Sequence, residues 1–372
     1  MQSIKRDIVI ISDIGSVDPD DILTLALLLT YKNINIIGFI ATHHYADRRG
    51  KLAKLFFTEM RRPEIPVYKG HGIEYETNFN QQHRDTWMKE NHLFPPFFGY
   101  PRSVALSTEK IWFEKFMKGF EEFYGKEIFY KSSELEIQYD SNTFLCEQLK
   151  KHSQTNKLLV VCLAPMHDLN NLPSELFKNM ELWAMGGGFE DDNNISKFLC
   201  DDSIEILKVN KAGYNWGISP ESTKDVVNKL DESNTLVNLI SSSFVRRNNM
   251  YVSKERFTKW MKLIEEEKCP IITKAIFKDW TYSLNANSLS DHKNICDPIT
   301  LFLALDSTLG KSVQVKTQIQ NEEKFKHYME EKPESPLMVM HRSYNPNTNL
   351  YYEIDETYRE QILDRIESVL FY

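Results

Sequence analysis

Ile8-Val9-Ile10-Ile11-Ser12-Asp13-Ile14-Gly15-Ser16-Val17-Asp18-Pro19-Asp20-Asp21 runs from a β-branched stretch into a turn that holds four aspartates. Its first residues read as a strand covered on both faces, because they are continuously apolar rather than alternating. Gly15 and Pro19 break that period, and the apolar pattern resumes from Ile22 to Leu29 with helical spacing. The packing of a fold does not require four carboxylates at one strand end. At this spacing they repel one another unless a cation or substrate hydroxyls receive them. A solvated loop with helix-capping aspartates is the alternative that the stretch alone leaves open.

Outward from this stretch, Ile34 to Thr42 is a second apolar strand ending in His43-His44. A helix over 47–60 follows, with Leu52, Leu55, Phe56 and Met60 at helical spacing, and Ile65 to Gly70 gives a third strand. The order β-α-β-α-β predicts a parallel sheet with right-handed crossovers. Ligands bind such sheets beyond the carboxyl ends of the strands, where the aspartates and His43-His44 both fall. Later segments continue the pattern: a helix over 141–151, a strand over 158–163, a helix over 169–176, a strand over 181–185, a turn Gly186-Gly187-Gly188, and a strand over 204–209. A helix starts at Ser219-Pro220-Glu221.

The expected class is therefore α/β, an open and mostly parallel central sheet with flanking helices in a single domain. Residues 74–135 and 233–293 are expected as insertions or lids, the second mostly amphipathic helix. The chain should close with a hairpin, 337–341 against 350–354, and a helix over 356–370.

Composition narrows the partners. Apolar residues make up 41% and charged residues 26% of the 372, as in ordinary globular proteins. The net charge of -8 argues against nucleic acid, whose phosphates call for clustered Lys and Arg. Short basic runs such as Arg48-Arg49 and Lys54 read as a solvated helix face. The longest apolar run, Ile22 to Tyr31, is half of what a bilayer span needs, so no membrane partner is expected. Five cysteines without a CxxC pair suggest reduced thiols and, with no secretory pattern at the N-terminus, a cytoplasmic location.

The carboxylates suggest a hard-cation site. Calcium takes six to eight oxygen ligands from carboxylates, carbonyls and water. Asp13, Asp21 and Asp297 each stand at a strand end or helix start, and a carbonyl of the turn 165–168 could join them. Such an oxygen-rich set disfavours zinc and copper. Calcium acidifies water weakly, so a general base is needed, and Asp13 is best placed for it. With a ribose as the diol, the matching reaction is glycosidic hydrolysis through an oxocarbenium-like transition state.

Six segments in order resemble the inosine-uridine-preferring nucleoside hydrolase family: the turn Asp13 to Asp21, and then Ile65 to Gly70, Leu163 to Leu169, Met185 to Phe189, Tyr214 to Glu221 and Cys296 to Ile299. The first is longer than the family's DxDPGxDDA. The resemblance implies the open α/β fold and a homo-oligomer, dimer or tetramer. It also implies that Asp13 is base and calcium ligand, that Asp21 and Asp297 are further ligands, and that His167 is a ligand through its backbone oxygen. Asp20, Asn215 and Met185 would contact the sugar.

The chain departs from the family at three places. Cys296 stands where a histidine commonly protonates the departing purine; a thiol with a pKa near 8.5 can donate a proton but matches neutral pH less well. Gly213 replaces a glutamate, and His43-His44-Tyr45 covers the position of a sugar-binding asparagine, which makes His43 and His44 candidate substrate contacts. The resulting expectation is calcium-dependent hydrolysis of a ribonucleoside or related ribosyl compound, with Asp13 activating the water. The alternative is a catalytically weakened calcium-dependent binder of ribosyl ligands. A metal-dependent transferase is a third reading, which the absence of a basic phosphate cluster disfavours.

Overall fold

The computed structural model describes residues 5–15, 19–72, 113–122, 124–187, 192–209, 213–277, 292–319, 338–342 and 345–371. Ten strands form one sheet in the order β3-β2-β1-β4-β5-β7-β12-β10-β11-β6. They are β1 (Arg6–Ser12), β2 (Ile34–Ala41), β3 (Val67–Lys69), β4 (Leu158–Cys162), β5 (Met180–Met185), β6 (Ile206–Val209), β7 (Val237–Ile240), β10 (Gly310–Ile319), β11 (Met338–His341) and β12 (Thr348–Ile354). A separate antiparallel pair joins β8 (Tyr251–Ser253) to β9 (His292–Asn294). From β3 across to β12 every pairing is parallel, and the last three are antiparallel.

The continuous apolar runs of β1 and β4 are explained by burial on both faces. Ile8 and Ile10 join one core with Leu159 and Val161, while Val9 and Ile11 join another with Leu158, Val160 and Cys162. The helix Asp20–Leu29 lies on the first face and packs against the helices Cys296–Leu305 and Thr357–Leu370. It is apolar all round, as a fully enclosed helix must be. Each of Ile22, Leu23, Leu25, Leu27 and Leu28 contributes about 1.5–3 kcal/mol on burial, enough to hold the aspartates of its first turn out of solvent.

Three expectations change. The strands predicted as a closing hairpin both exist, but β10 lies between them and pairs with each. Asn347 causes this: its backbone N–H donates to the Val315 carbonyl, and its side chain brackets the Thr317 backbone at 2.7 and 3.0 Å. That ties the start of β12 to β10 rather than to β11. The stretch 233–293 supplies a central strand as well as helices, because β7 lies between β5 and β12 with all four residues buried. A four-residue segment such as Val237-Asn238-Leu239-Ile240 is too short to carry a period that separates strand from enclosed helix. Finally, the helix predicted over 169–176 splits into a turn His167–Asn170 and a 3-10 segment Ser174–Asn179 around Pro173, whose ring bars an uninterrupted helix.

Candidate active site

The site is built at the carboxyl ends of β1, β2, β4 and β5. After β1 the chain must turn sharply beneath the helix 46–59, and Gly15 makes this possible. Its φ of +95° is left-handed, and a Cβ there would meet Leu52 at 2.6 Å. Ser12 ties the strand end to the next helix, since its hydroxyl donates to Asp21 Oδ1 and accepts from the Ile14 N–H at 3.2 Å. Asp20 and Asp21 are 6% and 5% exposed, and Asp297 is 6% exposed. Asp20 Oδ2 accepts the Cys296 backbone N–H at 3.0 Å, which brings together residues 276 positions apart. Asp297 and Cys296 open their helix, where acidic charge complements the dipole.

Electrostatics show the same convergence. Burial pushes the Cys162 thiol up to about 12, and the charges of Asp168, Asp13 and Asp297 push it the same way. Three carboxylates from three segments thus bear on the end of β4. Burial also raises the Asp168 carboxyl above its usual range, against hydrogen bonds from Thr42, the His71 N–H at 2.9 Å and the Ser141 hydroxyl at 3.0 Å. Asp168 therefore fastens β2, β3 and the helix Ser141–Lys151 to the turn that carries His167.

Histidines form the other wall. His43 and His44 are fully buried, with ring centroids 4.1 Å apart, and His43 stacks over His167 at 6.1 Å. His43 Nε2 and the Tyr214 hydroxyl share a hydrogen bond of 3.1 Å, and His71 lies 5.8 Å from His167. Ser222 Oγ and His167 Nδ1 share a hydrogen bond of 3.4 Å. His43 and Tyr45 hold left-handed φ values of 72° and 55°, costly for non-glycine residues.

Asn215 fastens two strand ends, its amide nitrogen donating to the Leu163 carbonyl at 2.7 Å and the Met185 carbonyl at 3.3 Å. Next to it, Trp216 is fully buried against Gly186, where a Cβ would fall 2.0 Å from the indole Cδ1. Gly186→Ala should therefore lower stability by about 1–3 kcal/mol through overpacking, read from the midpoint of chemical denaturation. A variant as stable as the parent would show that Trp216 yields freely.

Asp13, Asp20, Asp21, His43, His44, His167, Met185, Asn215, Cys296 and Asp297 thus all lie at one edge of the sheet. Cys296 is 9% exposed. Asp18, Gly188, His83, His92 and the aromatic run Phe94 to Tyr100 lie outside the described residues, and of His292 only the backbone is described.

Several contributors were not singled out in the sequence: Ser12, Thr42, Ser222, Tyr214 and above all Arg49. The reading of Arg48-Arg49 as a solvated face is overturned for Arg49, which is fully buried. Its spacing to Leu52, Ala53 and Phe56 on the apolar side of the helix was the available signal.

Three carboxylates and a backbone carbonyl are the donor set that a hard divalent cation takes. Among the described residues no group of three or more His, Cys, Asp or Glu side chains is arranged to hold a metal ion. Of the candidate ligand carboxylates, Asp13 and Asp297 both act on Cys162 through their charge, which puts these two near the end of β4.

The fold and this edge define an open, mostly parallel α/β protein with an acidic, histidine-walled site. The inosine-uridine preferring nucleoside hydrolase family model matches residues 8–358, and the chain belongs to that family. No curated protein matches it by sequence. Among solved structures, a purine-preferring ribonucleoside hydrolase from Gardnerella vaginalis shares 13% identity at a TM-score of 0.62, over 98% of this chain and 99% of that one. A plant nucleoside hydrolase shares 12% at 0.61, over 98% and 99%. The type III effector protein XopQ, complexed with adenosine diphosphate ribose, shares 14% at 0.60, over 99% and 95%. At such identities the likeness concerns the fold.

Proposed function

We propose that the chain hydrolyses the N-glycosidic bond of a ribonucleoside or related ribosyl compound, with Asp13 as general base and calcium as its ion. Asp13, Asp21, Asp297 and the His167 carbonyl would hold the ion, which when bound supplies a positive charge that orients a diol and a water. The observation that carries the reading is the Asp20–Cys296 hydrogen bond, which sets the aspartate turn beside the segment of Asp297. In the reaction Asp13 takes a proton from water as its oxygen bonds to the anomeric carbon. The carbon–nitrogen bond breaks, and its electron pair leaves with the base. Asp20 receives a ribose hydroxyl, Asn215 and Met185 bound the sugar, and His43 and His44 wall the pocket. Cys296 is the candidate proton donor to the departing base. The five cysteines, with no disulfide among the described residues, suit the reducing cytoplasm. A homo-oligomer belongs to the same reading.

Cys296 and Gly213 favour a second reading, a ribosyl-ligand binder that has lost efficient leaving-group protonation. A panel of nucleosides and adenosine diphosphate ribose, incubated with calcium and assayed for free sugar and by calorimetry, separates the two. Hydrolysis predicts multiple turnovers on at least one compound. Tight binding without sugar release overturns it in favour of the binder.

A further inference from the structure

We propose that Arg49 is the positioning residue of the aspartate turn, clamping the segment of Asp13 to the end of β2 so that the carboxylate is presented at a fixed place. The inference rests on the reading of Asp13 as the base. Arg49 has no exposed surface, although arginine is rarely fully enclosed. Its Nε donates to the His44 carbonyl at 2.7 Å, and its Nη1 donates to the Asp13 carbonyl and, at 3.0 Å, to the Ile14 carbonyl. The guanidinium carbon lies 4.5 Å from the centre of the Phe113 ring.

These acceptors belong to two segments that share no backbone ladder at this point: the turn after β1, and the left-handed stretch that carries His43 and His44. The second is conformationally costly, with His43 and Tyr45 left-handed on either side of His44, while the first reverses at Gly15, φ +95°, immediately after the clamped carbonyls. Such geometry persists only where surrounding contacts over-determine it. Arg49 supplies them, and Leu52, one helical turn further on, packs against Gly15. A planar fork can reach three carbonyls at once. An ammonium is a compact point charge on a flexible stem and cannot reproduce the fork. Because Arg49 binds the Asp13 backbone in these contacts, it sets where the carboxylate stands without needing to touch substrate.

The test compares Arg49→Lys and Arg49→Ala with the parent by riboside hydrolysis, calcium titration calorimetry, thermal melting and hydrogen–deuterium exchange. Arg49→Lys should lower kcat by about 10–100-fold with KM little changed, and weaken calcium binding by a similar factor, as loss of supporting contacts around a site does. Exchange should quicken in the peptide spanning 9–24. Millimolar guanidinium should restore part of the activity and of the exchange protection in Arg49→Ala, which a purely structural arginine would not show. Arg49→Lys with parental kcat, calcium affinity and exchange overturns the proposal, as does a loss that tracks the melting temperature and resists guanidinium. If the parent releases no sugar from any compound, the assignment of Asp13 as base fails by itself. Exchange and guanidinium rescue still decide whether Arg49 clamps the turn.

Discussion

Asp13→Ala is expected to abolish detectable ribose release while leaving the fold intact. A positioned general base contributes about 10²–10⁴-fold, and no other carboxylate can replace it without moving. Asp20 is committed to the Cys296 N–H and Asp21 to the Ser12 hydroxyl. The fold should survive because the Asp13 backbone carbonyl, which the truncation leaves in place, is bound by Arg49. The Asp13 side chain is only partly buried, so truncation opens no cavity in either core. Reducing-sugar release and circular dichroism melting read the two halves of the prediction. Turnover equal to the parent's would refute the role of Asp13.

Asp297→Asn should have opposite effects on stability with and without the ion. In chelator, removing one buried negative charge from a group that also contains Asp13 and Asp168 relieves repulsion. Against this stands a helix-dipole loss of about 0.3–1 kcal/mol, so the melting temperature should stay level or rise. With calcium the parent should gain stability by mass action, about 2.7 kcal/mol at a hundredfold excess over Kd. The variant should lose most of that gain, and its calcium affinity should fall by about two orders of magnitude as a ligand charge is removed. Differential scanning fluorimetry in chelator and in a calcium series measures both. A calcium-induced shift as large in Asp297→Asn as in the parent would remove Asp297 from the ligand set.

Much of this architecture is legible from local pattern. Residues 8–11 of β1, 36–41 of β2 and 158–162 of β4 run without a polar side chain, so burial on both faces, and hence a parallel sheet, follows from the residues themselves. The aspartates after β1 and at 297 stand out because carboxylates at strand ends and helix starts need a partner. Arg49 was legible only in part. Its helical phase with Leu52 and Phe56 placed it on the buried side, yet charge argued for solvent, and a buried arginine is tolerated only where carbonyls wait for it.

The sequence by itself determined the α/β class, the order of most strands and helices, the acidic turn and its distant counterpart at Cys296-Asp297. These depend on periodicities and residue types within a few positions of one another. Only the tertiary structure decided that β10 separates the last two strands, that β7 enters the centre of the sheet, and that His43, His71, His167 and Tyr214 meet as one wall. It also decided that Arg49 joins the turn of Asp13 to His44. The physical reason is that hydrogen bonds between segments far apart in the chain leave no periodic trace in either segment. They form when apolar faces pack and bring the strand ends to one edge.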